Sequence, residues 1–582
     1  MATELERVDI VTVGVGWTAG IIAAELTKAG YTVKGLERGE EKTLDDYFHQ
    51  KDELRYALRY EMMQDLSKET VTFRNNADMT ALPMRRHGSF LLGTDLGGSG
   101  VHWNGQTYRF LPYDFEIRSL TEERYGEDKI PDYMPLQDWG ITYEELEPYY
   151  DQFEKTCGIA GEENPLGGFR SDEYPLPPMV ETKMIRMFKE AATNLGYDPF
   201  QMPSANLTDS YENPDGQRIN ECQYCAFCER FGCDYGAKSD PIVTVIPTAK
   251  ETGNFEIRQN SNVTRILTEN GEATGVLFVD TKTGEEFIQP ADVVAVTSYV
   301  LNNTRLLLTS EVGRPYDPET GEGVIGKNYC YQVMGSATGF FENEKFNTFM
   351  GAGALGAAFD NFNGDNFDHS DLDFLHGGEI AITQTGRRPI NNNPTPEGTP
   401  RWGSEFKSES LKYFNRSLSL RLQGSSLPSR NNYLDLDPVY TDQYGDPLLR
   451  MTYNFTDQDR NMAEHCGAVL GDVLEEMGAD QVDVSNELSD YDIVPYQTTH
   501  NTGGVIMGAD PETSAVNSYN QMWDYDNLFV TGASAFAHNS GYNPTGTVGA
   551  LAYRCAEGIQ QFLDNGGGQL VEAKKNGRKI NM

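Results

Sequence analysis

The chain has 582 residues, with 38% apolar and 11% aromatic residues, enough to bury a large core and fill two or three domains, which excludes a disordered chain. Acidic residues number 88 against 47 basic ones, a formal charge of −41; such a surface repels nucleic acid and anionic lipid and is compatible with a neutral substrate. No membrane span is expected: the best apolar run, 10–26, is broken by Gly14, Gly16 and Gly20 and preceded by Glu4, Glu6 and Asp9, unlike the basic start of an export signal.

In chain order, 8–13 (VDIVTV) reads as a buried strand, 14–20 as a glycine-rich turn, 19–29 as a helix and 31–36 as a second strand. This is a βαβ unit. In its turn, Gly14 permits the tight bend, Gly16 lets the backbone approach a pyrophosphate, and the small Ala19 and Gly20 let helix and strand pack closely. The free N–H groups of the helix start favour a phosphate. The second strand leads into Glu37, whose carboxylate suits ribose hydroxyls and repels a 2′-phosphate. These features point to a dinucleotide and leave FAD and NAD both open.

Residues 41–90 read as helical and then loop-like. Residues 93–110 (GTDLGGSGVHWNGQTYRF) combine Gly97, Gly98 and Gly100 with His102, Trp103 and Asn104: glycines for close backbone approach to a planar ring, then polar and aromatic groups together. A helix is expected over 141–158. Between 222 and 233, CQYCAFCERFGC sets Cys222, Cys225, Cys228 and Cys233 at C-x2-C-x2-C-x4-C, within reach of one soft metal centre. The spacing approaches a ferredoxin run but has a longer last step and no following proline. Zinc sites usually pair two knuckles across a longer loop. An iron–sulfur cluster, zinc, and disulfides or free thiols are the three readings. Strands are expected within 255–296, a helix over 302–310, strands at LSLRLQGS and YLDLDPVY, and a helix over 457–478. The last hundred residues return to the glycine-rich texture of the start, with THNTGGVIMG (499–508) and NLFVTGASAFAHNSGYNPTGTVGALAYRCAEGI (527–559).

The 93–110 segment and these two C-terminal segments resemble the glucose–methanol–choline (GMC) oxidoreductases, above all the flavoprotein subunits of bacterial gluconate, glucose and fructose dehydrogenases. Pyranose oxidases are a more distant likeness. The resemblance implies FAD and a mixed α/β and α+β fold. An FAD-binding domain is expected from 1–120, 240–330 and 490–582, and a substrate domain with a large antiparallel sheet from 121–239 and 331–489. It implies His500 and Asn543 as the catalytic pair: a histidine can take the hydroxyl proton while hydride leaves for the flavin, and an amide can hold the alcohol oxygen. His538 is the weaker candidate for the base. Arg38, Val263, Ser298, Ala533 and Thr545 are implied as further flavin contacts, with Asn543 among them. His102-Trp103 resembles a pair in pyranose oxidases whose histidine is joined covalently to the flavin; the other reading is a histidine packed on the ring. Gln106, Arg109 and Gln423 are candidates to face the sugar.

The resembling dehydrogenase subunits carry a [3Fe–4S] cluster in the cysteine region, for which three cysteines suffice, and the cluster favours a dehydrogenase over an oxidase. They also imply a small partner bearing an export signal and a cytochrome acceptor, hence a periplasmic or outer-face location, with a cytoplasmic enzyme as the alternative. The expected activity is oxidation of a sugar, polyol or sugar-acid alcohol. The alternatives are a pyranose or glycoside oxidase and a non-catalytic flavin and iron–sulfur electron carrier.

Overall fold

A computed structural model of the chain describes residues 2–47, 64–86, 90, 92–390, 392–495, 498–575 and 578–579. The helical stretch expected after residue 41 falls largely outside them. Val8–Val13 is buried along its inner half because parallel neighbours cover both its edges: Glu286–Val296 on one side and Val33–Leu36 on the other. Phe255–Arg258 extends the sheet beyond Val33–Leu36, and Leu528–Val530 pairs parallel to Glu286–Val296. With the antiparallel strands Ser261–Glu269 and Glu272–Asp280, and with Thr3–Glu4 parallel to Glu286–Val296, this makes an eight-stranded sheet. The expected helix after the glycine turn runs Trp17–Lys28, and the second strand starts at Val33. The helix packs against Thr545–Asn565, which also packs on Tyr143–Cys157, so the two ends of the chain share one layer.

Tyr143–Cys157 is bounded as its sequence dictates. Thr142 and Glu145 form a reciprocal N-terminal cap, and Gly158 takes the left-handed conformation (φ 64°) that ends it. Thr456 and Asp459 cap Asp457–Glu476 in the same way. The helix expected from residue 302 begins at Val300 and ends at Thr309.

A second, six-stranded sheet is antiparallel throughout. Its order is Gln481–Ser485, Val333–Phe340, Ser417–Gly424, Gly378–Thr383, Gly356–Phe359 and Phe200–Gln201. Helix Asp457–Glu476 packs on one face of it, burying Met462, Leu470 and Leu474 against Leu418, Leu420 and Leu422. The opposite face of Ser417–Gly424 carries Ser419, Arg421 and Gln423, because side chains alternate along a strand. A third sheet pairs Thr72–Arg74 and Leu82–Pro83 with Tyr433–Thr441 and Pro447–Thr452, joining segments expected in different domains. Among the described residues no helix is long and apolar enough to cross a membrane.

Arg109, expected near the substrate, is placed elsewhere. Its guanidinium forks onto Glu154 (2.8 and 2.7 Å) and Glu147 (2.7 Å), both on helix Tyr143–Cys157 and both buried. Burial opposes the Glu154 anion, but Arg109 and Arg170 pull its carboxyl below the usual range. The sequence could not show this pairing, because the partners lie on a helix brought over by folding. Removing one member of such a cluster leaves buried charge uncompensated. Arg109→Leu should therefore destabilise the fold by about 3–5 kcal/mol, read as a large drop in the thermal midpoint. A midpoint unchanged within a degree or two would contradict the role given to the cluster.

Candidate active site

A cavity of about 490 Å³ is walled by both ends of the chain. One end supplies Gly14, Gly16, Glu37 and Arg38; the glycine-rich segment supplies Gly97, Gly98, Gly100, His102, Trp103 and Asn104. Val263, Ser298, Ala533 and Thr545 complete the same wall. Ala19 and Gly20 do not reach it. A side chain at position 20 would meet Val245 at 2.6 Å, so Gly20 serves helix packing.

The donors fit a dinucleotide. Gly14 (φ 85°) and Gly97 (φ 89°) hold left-handed backbone that favours glycine, and the Gly97 N–H bonds to the Val15 carbonyl at 2.7 Å, locking the two glycine segments together. Helix Trp17–Lys28 has no side-chain cap, so its first N–H groups face the cavity free for an anion. Glu37 is buried, which pushes its carboxyl up, while the Gly39 and Val15 N–H groups, each at 2.9 Å, pull it back. Each oxygen keeps a lone pair for a ribose hydroxyl.

At the far end of the cavity stand His500 and Asn543. The Asn543 Nδ2 lies 3.1 Å from His500 Nε2, and the Asn543 Oδ1 accepts from Gln423 Nε2 at 3.0 Å. On the other edge of the ring, His500 Nδ1 bonds to Gln332 Oε1. The Gln332 amide nitrogen donates to the carbonyls of Ser540 and Tyr542, each at 3.2 Å, so its oxygen must be the atom facing the ring. An oxygen there requires Nδ1 to carry the hydrogen. The lone pair is therefore on Nε2, toward Asn543. Burial first, then the charge of Arg421, push the His500 pKa down to about 3, so the ring is neutral at working pH.

His538 is not available as a base. The Trp139 indole N–H donates to its Nδ1 at 3.2 Å, and its Nε2 meets Asp114 Oδ1, also at 3.2 Å. His376 repeats the pattern: the Gly377 N–H meets Nδ1 at 2.9 Å and Nε2 meets Asp114 Oδ1 at 2.8 Å. All three residues are fully buried. Their ligand atoms lie close enough for a metal ion, but a metal on Nε2 would force a hydrogen onto each Nδ1, against the N–H donor already there. The cluster is instead one carboxylate with its acceptor sites filled, since the Leu111 N–H (2.9 Å) and the Ser540 hydroxyl (3.0 Å) reach the other oxygen. Burial disfavours the Asp114 anion, yet the two imidazoles hold its carboxyl far below the usual range. The arrangement fixes the 538–543 segment on which Gln332 and Asn543 depend.

Gln106 and Gln423 both line the cavity; Gln106 bonds to Gly353 and accepts from Arg421. Three participants escaped the sequence reading: Gln332, Arg421 and Asn539, which donates to the His500 carbonyl at 3.0 Å. Asn539 lies within the 527–559 segment; Gln332 and Arg421 stand in no motif. The signal for Arg421 is its alternation with Gln423 on one strand face.

The cysteine loop is stitched to the glycine-rich 93–110 segment. The Arg230 N–H donates to the His102 carbonyl at 2.6 Å, and Lys238 Nζ donates to the carbonyls of Trp103 (2.7 Å), Cys228 and Phe231 (both 2.9 Å). Within the loop Tyr224, Ala226 and Arg230 all take left-handed backbone (φ 52°, 68° and 70°), which is strained for side-chain-bearing residues. All eight cysteines are free, which removes the disulfide reading.

Residues 428–552 match the family model described as GMC oxidoreductase. The chain is 42% identical to a gluconate 2-dehydrogenase flavoprotein from Pantoea cypripedii, covering 98% of this chain and 97% of the relative. It is 24% identical to the fructose dehydrogenase large subunit of Gluconobacter japonicus, covering 97% and 100%. A solved formate oxidase from Aspergillus oryzae superposes with a TM-score of 0.60 at 15% identity, covering 97% of this chain and 100% of that one, a likeness of fold.

The ring chemistry gives a pH test. Gln332→Glu places a carboxylate on Nδ1–H, which raises the His500 pKa from its depressed value. Substrate-driven flavin reduction, flat in the parent between pH 5 and 8 as far as this group is concerned, should then fall as pH drops through the raised pKa. Anaerobic stopped-flow reads it; an unaltered profile in the variant would contradict the assigned tautomer.

Proposed function

This chain belongs to the GMC oxidoreductases, FAD-dependent enzymes acting on CH–OH donors, and on that premise we propose that it is a dehydrogenase oxidising a sugar, polyol or sugar-acid alcohol, with His500 as the base. The observation that carries the reading is the His500–Asn543 pair, 3.1 Å apart on the wall of the glycine-lined cavity. A substrate hydroxyl entering between them donates its proton to His500 Nε2 and accepts a hydrogen bond from Asn543 Nδ2. Gln332 then supports the imidazolium through its Nδ1–H, and Gln423 keeps the amide of Asn543 turned toward the alcohol. FAD, held by the glycine segments and Glu37, supplies the hydride acceptor when bound. His102, on the wall of the same cavity, is the candidate for covalent attachment.

The cysteine loop supports an iron–sulfur relay and so a dehydrogenase. Three of its sulfurs receive N–H donors: Cys222 from Tyr224 (3.4 Å), Cys233 from Ala237 (3.4 Å) and Cys228 from Asn206 (3.8 Å). Such donors stabilise cluster thiolates. Burial, then neighbouring cysteines, push the Cys222 thiol up to about 12; for Cys228, burial takes it to about 11, so metal binding must release their protons. We assign Cys222, Cys228 and Cys233 as ligands and Cys225 as the spare thiol. A cluster would pass electrons singly to an outside acceptor, a cytochrome or other partner beside a small signal-bearing subunit.

His500→Ala should keep bound flavin and lose sugar-driven flavin reduction by several orders of magnitude. Near-normal reduction would remove His500 from the chemistry. Anaerobically purified protein should contain iron and acid-labile sulfide, kept in Cys225→Ser and lost in Cys228→Ser. Zinc alone would overturn the relay.

A further inference from the structure

A second cavity, about 700 Å³, shares Glu229, Thr383 and Thr385 as walls with the first. Its lining holds three arginines, Arg230, Arg387 and Arg388, against the single carboxylate of Glu229, in a chain whose formal charge is −41. Arg230 pairs with that glutamate at 2.9 Å. Arg388 donates to the Ala226 carbonyl. Arg387 is different: its guanidinium donates to the Phe414 carbonyl at 2.7 Å and the Ser417 hydroxyl at 2.8 Å, and no carboxylate among the described residues pairs with it. A cation set in protein without a counter-charge is costly unless an anion meets it.

The strand Ser417–Gly424 runs along both cavities. Ser419 is exposed, Arg421 half-buried and Gln423 buried, so this face leads inward from solvent to Asn543. Distance decides what each arginine can do. Ser417, which holds Arg387, stands six residues from Gln423, about 20 Å along the strand. A six-carbon chain spans well under half of that, so Arg387 cannot hold a substrate whose alcohol sits at His500. Arg421 stands two residues from Gln423, about 7 Å away, and lies within reach. Glu379 and Gln106, both at 2.7 Å from its Nη2, keep it in place.

We propose that the second cavity is the entry vestibule for an anionic polyol, in which Arg387 and Arg388 draw in a carboxylate or phosphate end that Arg421 receives beside the catalytic pair. This rests on the reading of His500 and Asn543 given above, and it narrows the substrate class within that reading. The neutral substrate suggested by overall charge is thereby replaced: the local field, not the net charge, meets the ligand. Fields focused by a lined cleft raise association rates about 10–1000-fold and fall with ionic strength.

The test is anaerobic flavin reduction by gluconate, glucose 6-phosphate and glucose at low and high salt, with parallel equilibrium binding of gluconate to the holoenzyme. The second-order rate for at least one anionic sugar should fall about tenfold across that salt range, and glucose should show no salt response. In Arg387→Gln/Arg388→Gln the anionic rate should drop about tenfold at low salt and lose most of its salt response. Arg118→Gln, which removes an equal charge from a distant surface pair with Glu122, should keep it. A salt-independent anionic rate, or equal losses for glucose and the anions, would overturn the vestibule while leaving the oxidoreductase standing. If no alcohol in a wider panel reduces the flavin, the proposed function falls; the vestibule is then judged by gluconate binding alone, and an affinity unaltered in the double variant would overturn it. Which anionic sugar responds separates carboxylate from phosphate.

Discussion

One side-chain amide sets which ring nitrogen of His500 carries its hydrogen. Gln332 spends its N–H groups on the backbone carbonyls of Ser540 and Tyr542, which leaves its oxygen as the atom that faces His500. A reversed amide would set a donor against Nδ1 and move the ring's hydrogen to Nε2, where it would block the proton transfer. The carbonyls that orient Gln332 belong to the same segment that carries Asn543. The orientation of His500 and the position of Asn543 are thus set by one piece of backbone, so their relative position is hard to perturb separately. Beneath that segment lies the saturated Asp114 carboxylate. It anchors His538 and Ser540 from a short helix near the N-terminal third and His376 from the turn before a strand of the second sheet.

The site is made of parts far apart in the chain because the cofactor cavity needs two kinds of backbone. Parallel strands with a glycine turn and an uncapped helix suit phosphates. An antiparallel sheet with alternating side chains offers a polar face to the substrate. Helix Thr545–Asn565 packs on Trp17–Lys28 and on Tyr143–Cys157, which brings the last segment, with Asn543 just ahead of that helix, against the first. The cysteine loop joins the same centre through Lys238 and the Arg230 backbone, so it is fixed to the cavity-lining residues His102 and Trp103 rather than standing apart from them.

Local features were legible in the sequence where the chemistry is local. The glycine turn and Glu37 depend on neighbours within a few residues, and both line the cavity. His500 and Asn543 were legible only through a resemblance, since a lone histidine and a lone asparagine carry no pattern of their own. What stayed hidden depends on contacts across the fold. Arg109 follows the glycine-rich motif closely enough to suggest a substrate contact, yet two glutamates two helical turns apart on Tyr143–Cys157 claim it. Gln332 sits near the start of a strand with nothing to mark it. Asp114, His376 and His538 are separated by hundreds of residues, and no spacing could have joined them.

The most direct test of the whole account is the protonation of His500 itself. With ring-15N histidine in the flavin-loaded enzyme at pH 7, assigned by comparison with His500→Gln, the account predicts a neutral ring with a protonated Nδ1 and a pyridine-type Nε2. A spectrum showing the hydrogen on Nε2, or a charged ring, would contradict it.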